Sequence, residues 1–80
     1  MRTRRSDDAT WRKKFGIKLQ CLIHIKGITQ GQFASELGIT EATLSRYIKG
    51  IHMPDIIKLK HMAKILNCST DYLLDVEDWL

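Results

Sequence analysis

Apolar residues recur along this chain at helical spacing from Trp11 onward. Phe15, Leu19, Leu22 and Ile23 stand at i, i+4, i+7 and i+8, one face of a helix, while Lys13, Lys14, Lys18 and Gln20 fall off it. The pattern predicts a first helix that starts at Trp11 and stops at Gly27. Thr29-Gln30-Gly31-Gln32 has the form of a capping box, with the Thr29 hydroxyl taking the amide of Gln32 and the Gln32 side chain reaching back. Phe33, Ala34 and Leu37 then make the inner face of a second helix, which Gly38 ends in a left-handed conformation. Thr40 caps a third helix that runs through Lys49 and stops at Gly50. After the loop Ile51-His52-Met53, the pair Pro54-Asp55 signals a fourth helix to about Asn67, with Ile56, Leu59, Met62, Ala63 and Leu66 facing inward. Ser69 caps a short fifth helix that contains Tyr72 and Leu73. Five short helices, tight connections and no strand signal predict an all-α domain.

The ends differ from this periodic middle. Residues 1–10 are expected to be a flexible basic arm, residues 11–75 the folded domain and residues 76–80 an acidic and apolar tail. Arg2, Arg4, Arg5, Arg12, Lys13, Lys14 and Lys18 crowd the first quarter, whereas Asp71, Asp75, Glu77 and Asp78 make the last ten residues acidic. The formal net charge of +4 is compatible with a polyanion partner without requiring one. The uneven placement says more: one end suits a phosphate backbone and the other avoids it. Solubilising tails account for each end taken singly.

At 80 residues the chain is one domain with a limited core, which oligomerisation would help. Two cysteines, Cys21 and Cys68, are too few for a disulfide scaffold. No signal peptide is visible, and no apolar run approaches the ~20 residues that span a bilayer. These features give the expectation of a cytoplasmic protein with reduced thiols. No catalytic set, phosphate-binding glycine loop or cleft-sized second domain is legible, so an enzyme is not expected, nor any cofactor.

The informative segment is the second helix, the turn and the third helix. Ala34 lies four residues before Gly38, and Leu44 six after it. A small residue lets the two helices cross, the glycine permits the sharp turn, and Leu44 with Ile48 anchors the third helix. At about 100° per residue, Leu44, Tyr47 and Ile48 gather on one side of that helix. Ala42, Ser45, Arg46 and Lys49 lie on the other, with Glu41 and Thr43 on the flanks. On a lone helix, such small, hydrogen-bonding and basic residues are an ordinary solvated face. Beside the Ala34–Gly38–Leu44 spacing they read as a face shaped for a DNA major groove.

TQGQFASELGITEATLSRYIKG, followed by PDIIKLKHMAKILNCSTDYLL, resembles the lambda-repressor-like (Cro-type, XRE) helix-turn-helix family. The resemblance covers about residues 15–74 and spans Thr29-Gln30, Ala34, Gly38-Ile39-Thr40, Gly50, Pro54, Leu59, Ala63, Leu66, Asn67 and Asp71-Tyr72-Leu73 in order. It implies a five-helix domain whose relatives mostly bind operator DNA as homodimers. Carried over by position, Gln30 bonds a DNA phosphate and braces the third helix, and Thr29 is a neighbouring backbone contact. Glu41, Ala42 and Arg46 correspond to positions that touch base edges. Thr43 and Ser45 correspond to phosphate or flanking-base contacts and Lys49 to a backbone contact, and Thr40 joins the same DNA-facing set.

Three departures from the family pattern carry expectations. Many relatives have Arg at the position of Ile23 and Glu at that of Ile48, joined as a buried ion pair; here both are isoleucine. Such a pair can be exchanged for packed apolar groups when both partners change, so direct contact between Ile23 and Ile48 is expected. Gly31 stands where the family has a helix former, at a cost of about 1 kcal/mol and with no benefit legible in the sequence. Cys68 stands where the family has a buried valine.

Other residues suggest rival readings. Cys21, His24, His61 and Cys68 invite a zinc site, but their spacings match no zinc motif. His52, in the loop after the third helix, faces either phosphate or solvent. Val76, Trp79 and Leu80 exceed what a small core needs, which suggests a homodimer using the fifth helix and this tail; folding of Trp79 back onto its own core is the alternative. The leading expectation is therefore a sequence-specific repressor on double-stranded DNA, with no membrane or small-molecule partner. The rivals are an antitoxin or adaptor module that uses the same fold to bind protein, and a nonspecific nucleic-acid binder.

Overall fold

A computed structural model of the chain describes residues 4–74, with side chains placed from residue 9 onward. Its elements in order are α1 (Arg4–Lys26), α2 (Gln30–Leu37), α3 (Glu41–Ile48), α4 (Ile56–Leu66) and α5 (Thr70–Leu73), and no strand occurs among the described residues. The all-α, five-helix expectation therefore holds.

Local chemistry explains most of the boundaries. Thr29 and Gln32 form the capping box: the Gln32 amide donates to Thr29 Oγ1 at 3.0 Å, and the Thr29 amide donates to Gln32 Oε1 at 2.9 Å. Asp55 accepts from the Lys58 amide at 2.8 Å and Ser69 from the Tyr72 amide at 3.0 Å, so α4 and α5 open the same way. α2 and α4 also close alike. At the end of α2 the Gly38 amide donates to Ser35 O and the Ile39 amide to Ala34 O. At the end of α4 the Asn67 and Cys68 amides donate to Lys64 O and Ala63 O. Both patterns need a left-handed residue, supplied by Gly38 at φ 79° and Asn67 at φ 56°.

Two expectations are corrected. α1 begins at Arg4 and not at Trp11, where the first helix was expected to start, and residues 1–3 lie outside the described region. The apolar stripe marks where α1 gains partners, not where it starts. No glycine or proline interrupts residues 4–15, so nothing in the sequence stops the helix from extending toward Arg4. Ile56, expected inward, is 73% exposed. It stands in the first turn of α4, about 70° off the centre of the stripe made by Leu59, Met62, Ala63 and Leu66.

The core takes one wholly buried side chain from every helix: Leu19 from α1, Phe33 from α2, Leu44 from α3, Met62 from α4 and Leu73 from α5. α1 lies against α3, α4 and α5, while α2 lies against α3 and α4. No polar or charged side chain is buried among the described residues, so the space between the helices is filled by apolar contact. Ile23 is buried in this cluster and Ile48 packs half-buried against it. The tail expected over residues 76–80 lies outside the described region.

Candidate nucleic-acid interface

α3 is eight residues long, about 12 Å of helix, close to the width of a B-DNA major groove. One side of it is fixed: Leu44 and Tyr47 are buried and Ile48 is half-buried. On the other side Glu41, Ala42, Arg46 and Lys49 are exposed, and Thr43 and Ser45 are half-buried at the margins. Gln30 is exposed as the first residue of α2, next to its cap Thr29. The structure thus brings the outward residues of α3 onto one polar, basic-tipped surface.

Hydrogen bonding fixes the start of that surface. The Thr43 amide donates to Thr40 Oγ1 at 3.1 Å, and the Thr40 hydroxyl donates to Thr43 Oγ1 at 3.0 Å. The Thr40 hydroxyl is occupied in both directions, which makes it a structural cap. The Thr43 hydroxyl accepts here and keeps its own hydrogen to donate outward.

The far end of α3 is held by tertiary contacts that the sequence did not announce. Gly50 has φ 78°, its amide donates to Tyr47 O at 3.1 Å, and the Ile51 amide donates to Arg46 O at 2.9 Å. The Gly50 carbonyl accepts from Arg12 Nε of α1 at 3.1 Å. A Cβ on Gly50 would stand 3.0 Å from the Cα of Lys13, so the two backbones nearly touch. One turn along α1, a Cβ on Gly16 would stand 2.7 Å from the Ile48 carbonyl carbon and 2.8 Å from Tyr47 O. α1 can approach the last turn of α3 only because Gly16 has no side chain. The available signal was a glycine inside an otherwise helical stripe, which marks close approach by another backbone. Arg12, grouped by sequence with the basic residues, is partly committed to this joint.

Gly31 acquires a reason as well. A Cβ there would lie 2.9 Å from Glu41 Oε2. The Glu41 carboxylate, at the start of α3, leans over the first turn of α2, and the missing side chain makes room for it. An anion is favoured there by the unpaired amides of a helix start. Nothing in the linear sequence relates positions ten apart across a turn.

Residues 25–73, more than half of the chain, match the family model described as Helix-turn-helix. The chain belongs to the helix-turn-helix family. A curated relative, the SPbeta prophage-derived HTH-type transcriptional regulator YonR of Bacillus subtilis (strain 168), is 38% identical over 60 residues. That alignment takes in 75% of this chain and 56% of the relative, so the chain spans a little over half of the relative's length. Among solved structures, the restriction-modification controller protein C.AhdI from Aeromonas hydrophila superposes with a TM-score of 0.77. It covers 84% of this chain and 97% of that protein at 22% identity, a likeness of fold. The helix-turn-helix family is one of DNA-binding regulators, not of enzymes.

The residues behind the zinc reading fall differently. Cys21 is exposed on α1, and Cys68 is half-buried just beyond α4. Burial pushes the Cys68 thiol above its ordinary pKa, and the positive charge of Lys18 pulls the other way. Among the described residues no group of three or more His, Cys, Asp or Glu is gathered to hold a metal ion. His52 is exposed in the loop after α3.

Proposed function

We propose that this chain is a sequence-specific transcriptional repressor that binds a pseudo-palindromic operator as a homodimer, with α3 in the major groove. One observation carries the reading. The exposed face of α3 presents Ala42 and Arg46 outward, while Leu44, wholly buried on the opposite face, holds the helix in place. A face with one small residue and one basic residue fits between the walls of a groove. Arg46 gives two parallel hydrogen bonds to guanine O6 and N7, and Ala42 meets a thymine methyl.

The remaining residues divide by chemistry. Thr29, Gln30, Thr43, Ser45 and Lys49 contact phosphate or flanking sugar and set the register, and Thr40 holds Thr43 in position for this. Glu41 either accepts from a cytosine amine or repels misplaced phosphate; its carboxylate, turned back toward Gly31, favours the second role. Arg2, Arg4 and Arg5 extend the basic surface toward the adjacent backbone or minor groove. Dimerisation through α5 and residues 76–80, including Trp79 and Leu80, places two α3 helices on half-sites ~34–36 Å apart. Its work as a regulator of this kind takes place in the cytoplasm, without a cofactor. YonR is named as a transcriptional regulator, which supports the regulatory part of this reading.

Selection from random duplexes at a stated salt concentration tests the proposal. An inverted repeat with one fixed guanine per half-site is the expected product. Retention of DNA without any enriched sequence would identify a nonspecific binder. Failure to retain DNA, together with a stoichiometric copurifying protein, would identify an antitoxin or adaptor.

A further inference from the structure

One strip of the exposed side of α1 is apolar. Ile17 and Ile25 are exposed, Ile25 at 76%, and Cys21 lies exposed between them. Tyr72 of α5 closes one side, forming a groove of about 270 Å³ with Lys14 and Lys18. Lys18 Nζ sits 4.3 Å above the centre of the Tyr72 ring, which places positive charge on the rim. Among the described residues, none of those lining the groove is acidic. Exposed large apolar residues gathered in one groove with a charged rim are the mark of a protein-binding surface.

We infer that this groove receives residues 75–80 of a second copy of the chain. The inference rests on the dimer reading above and supplies its receiving surface. Residues 75–80 read Asp-Val-Glu-Asp-Trp-Leu: three carboxylates to face Lys14 on the rim and three apolar side chains for the floor. Both parts of the groove's chemistry are thereby complemented. Geometry favours a second copy over the chain's own segment. Leu74, the last described residue, lies in a separate depression with Trp11, Phe15 and Met53. The chain therefore leaves α5 beside Phe15, and Ile25 is ten residues further along α1, about 15 Å away. Trp79 follows Leu74 by five residues, which span at most ~17 Å. Its own Trp79 would reach the far end of the groove only by straightening almost fully and doubling back over Tyr72. A second copy approaches without that constraint.

Sedimentation equilibrium of the full chain over a range of concentrations, with full-length Ile25→Glu and Trp79→Ala variants, decides the matter. The exposure of Ile25 keeps its substitution from disturbing the core. The wild type should dimerise, and each variant should raise the dimer Kd at least tenfold. A one-to-one mixture should associate more tightly than either variant alone, because the mixed dimer retains one intact groove with one intact segment. If both variants dimerise like the wild type, or the mixture gains nothing, the groove assignment is overturned while the dimer stands. If melting temperatures shift but the oligomeric state does not, the segment occupies its own groove and the exchange is overturned. A wild type that stays monomeric at every concentration overturns the dimer itself.

Discussion

α1 and α3 each turn one face inward and one outward, and a strip of the outward side of α1 is the opposite of the outward face of α3. On α3 the exposed residues are Glu41, Ala42, Arg46 and Lys49: small, hydrogen-bonding or charged. On α1 they include Ile17, Cys21 and Ile25. Water solvates the first set well, so its value lies in what it can exchange water for, namely base edges and phosphates. Exposure of the second set is unfavourable, so covering it contributes stability whatever covers it. One surface offers specificity and the other association. They are joined where Gly16 of α1 meets the last turn of α3, and each can be perturbed separately only away from that joint.

Gly16→Ala should break the comparison itself. The new methyl would press on backbone atoms of Tyr47 and Ile48, which cannot rotate aside. Alanine gains about 1 kcal/mol of helix propensity, but overpacking at backbone contact outweighs it, for a net loss of about 2–4 kcal/mol. Urea denaturation measures this, and DNA binding and self-association should weaken together. A variant as stable as the wild type would show that α1 and α3 are not in backbone contact.

Arg46→Ala acts on the α3 face alone. Because Arg46 is exposed, folding stability should stay unchanged. Affinity for the selected operator should fall by about 1–3 kcal/mol, with base preference relaxed at one position per half-site. Equal loss on selected and random duplexes would reassign Arg46 to phosphate. Lys49→Ala is the counterpart: it should weaken every sequence alike and reduce the slope of log K against log salt by about 0.9 per protomer. A loss confined to the operator would contradict the backbone role.

The sequence made some of these features legible and hid others for definable reasons. The caps at Thr29, Thr40, Asp55 and Ser69 were readable because a hydroxyl or carboxylate acts on an amide three residues away. The buried and exposed sides of α3 were readable because a helix repeats over a few residues. The early start of α1 was hidden because its first turns carry no apolar pattern. Ile56 was misjudged because it was counted with the inner stripe although it stands about 70° off the centre of that stripe, in the first turn of α4. The Arg12–Gly50 bond and the partner that Gly16 admits depend on where a distant helix is laid down; a glycine in a helical stripe signals a close approach but not what approaches.

Gly31 belongs to that hidden class, and its substitution gives the smallest and most discriminating effect. Gly31→Ala gains up to about 1 kcal/mol of helix propensity. The methyl meets only the carboxylate end of Glu41, a flexible tip that can swing away. Moving it gives up the attraction between that anion and the start of α2, worth about 0.3–1 kcal/mol at low ionic strength. The two terms nearly cancel at low salt. Salt screens the second but not the first, so the net stabilisation should grow as salt is added. In a Glu41→Ala background there is no carboxylate to displace, and the same substitution should yield its full gain at every salt concentration. Thermal melts of the four proteins in this cycle, at two salt concentrations, measure the coupling. If Gly31→Ala stabilises both backgrounds equally, the Glu41 carboxylate does not rest on the start of α2, and its freedom to read a base edge is restored.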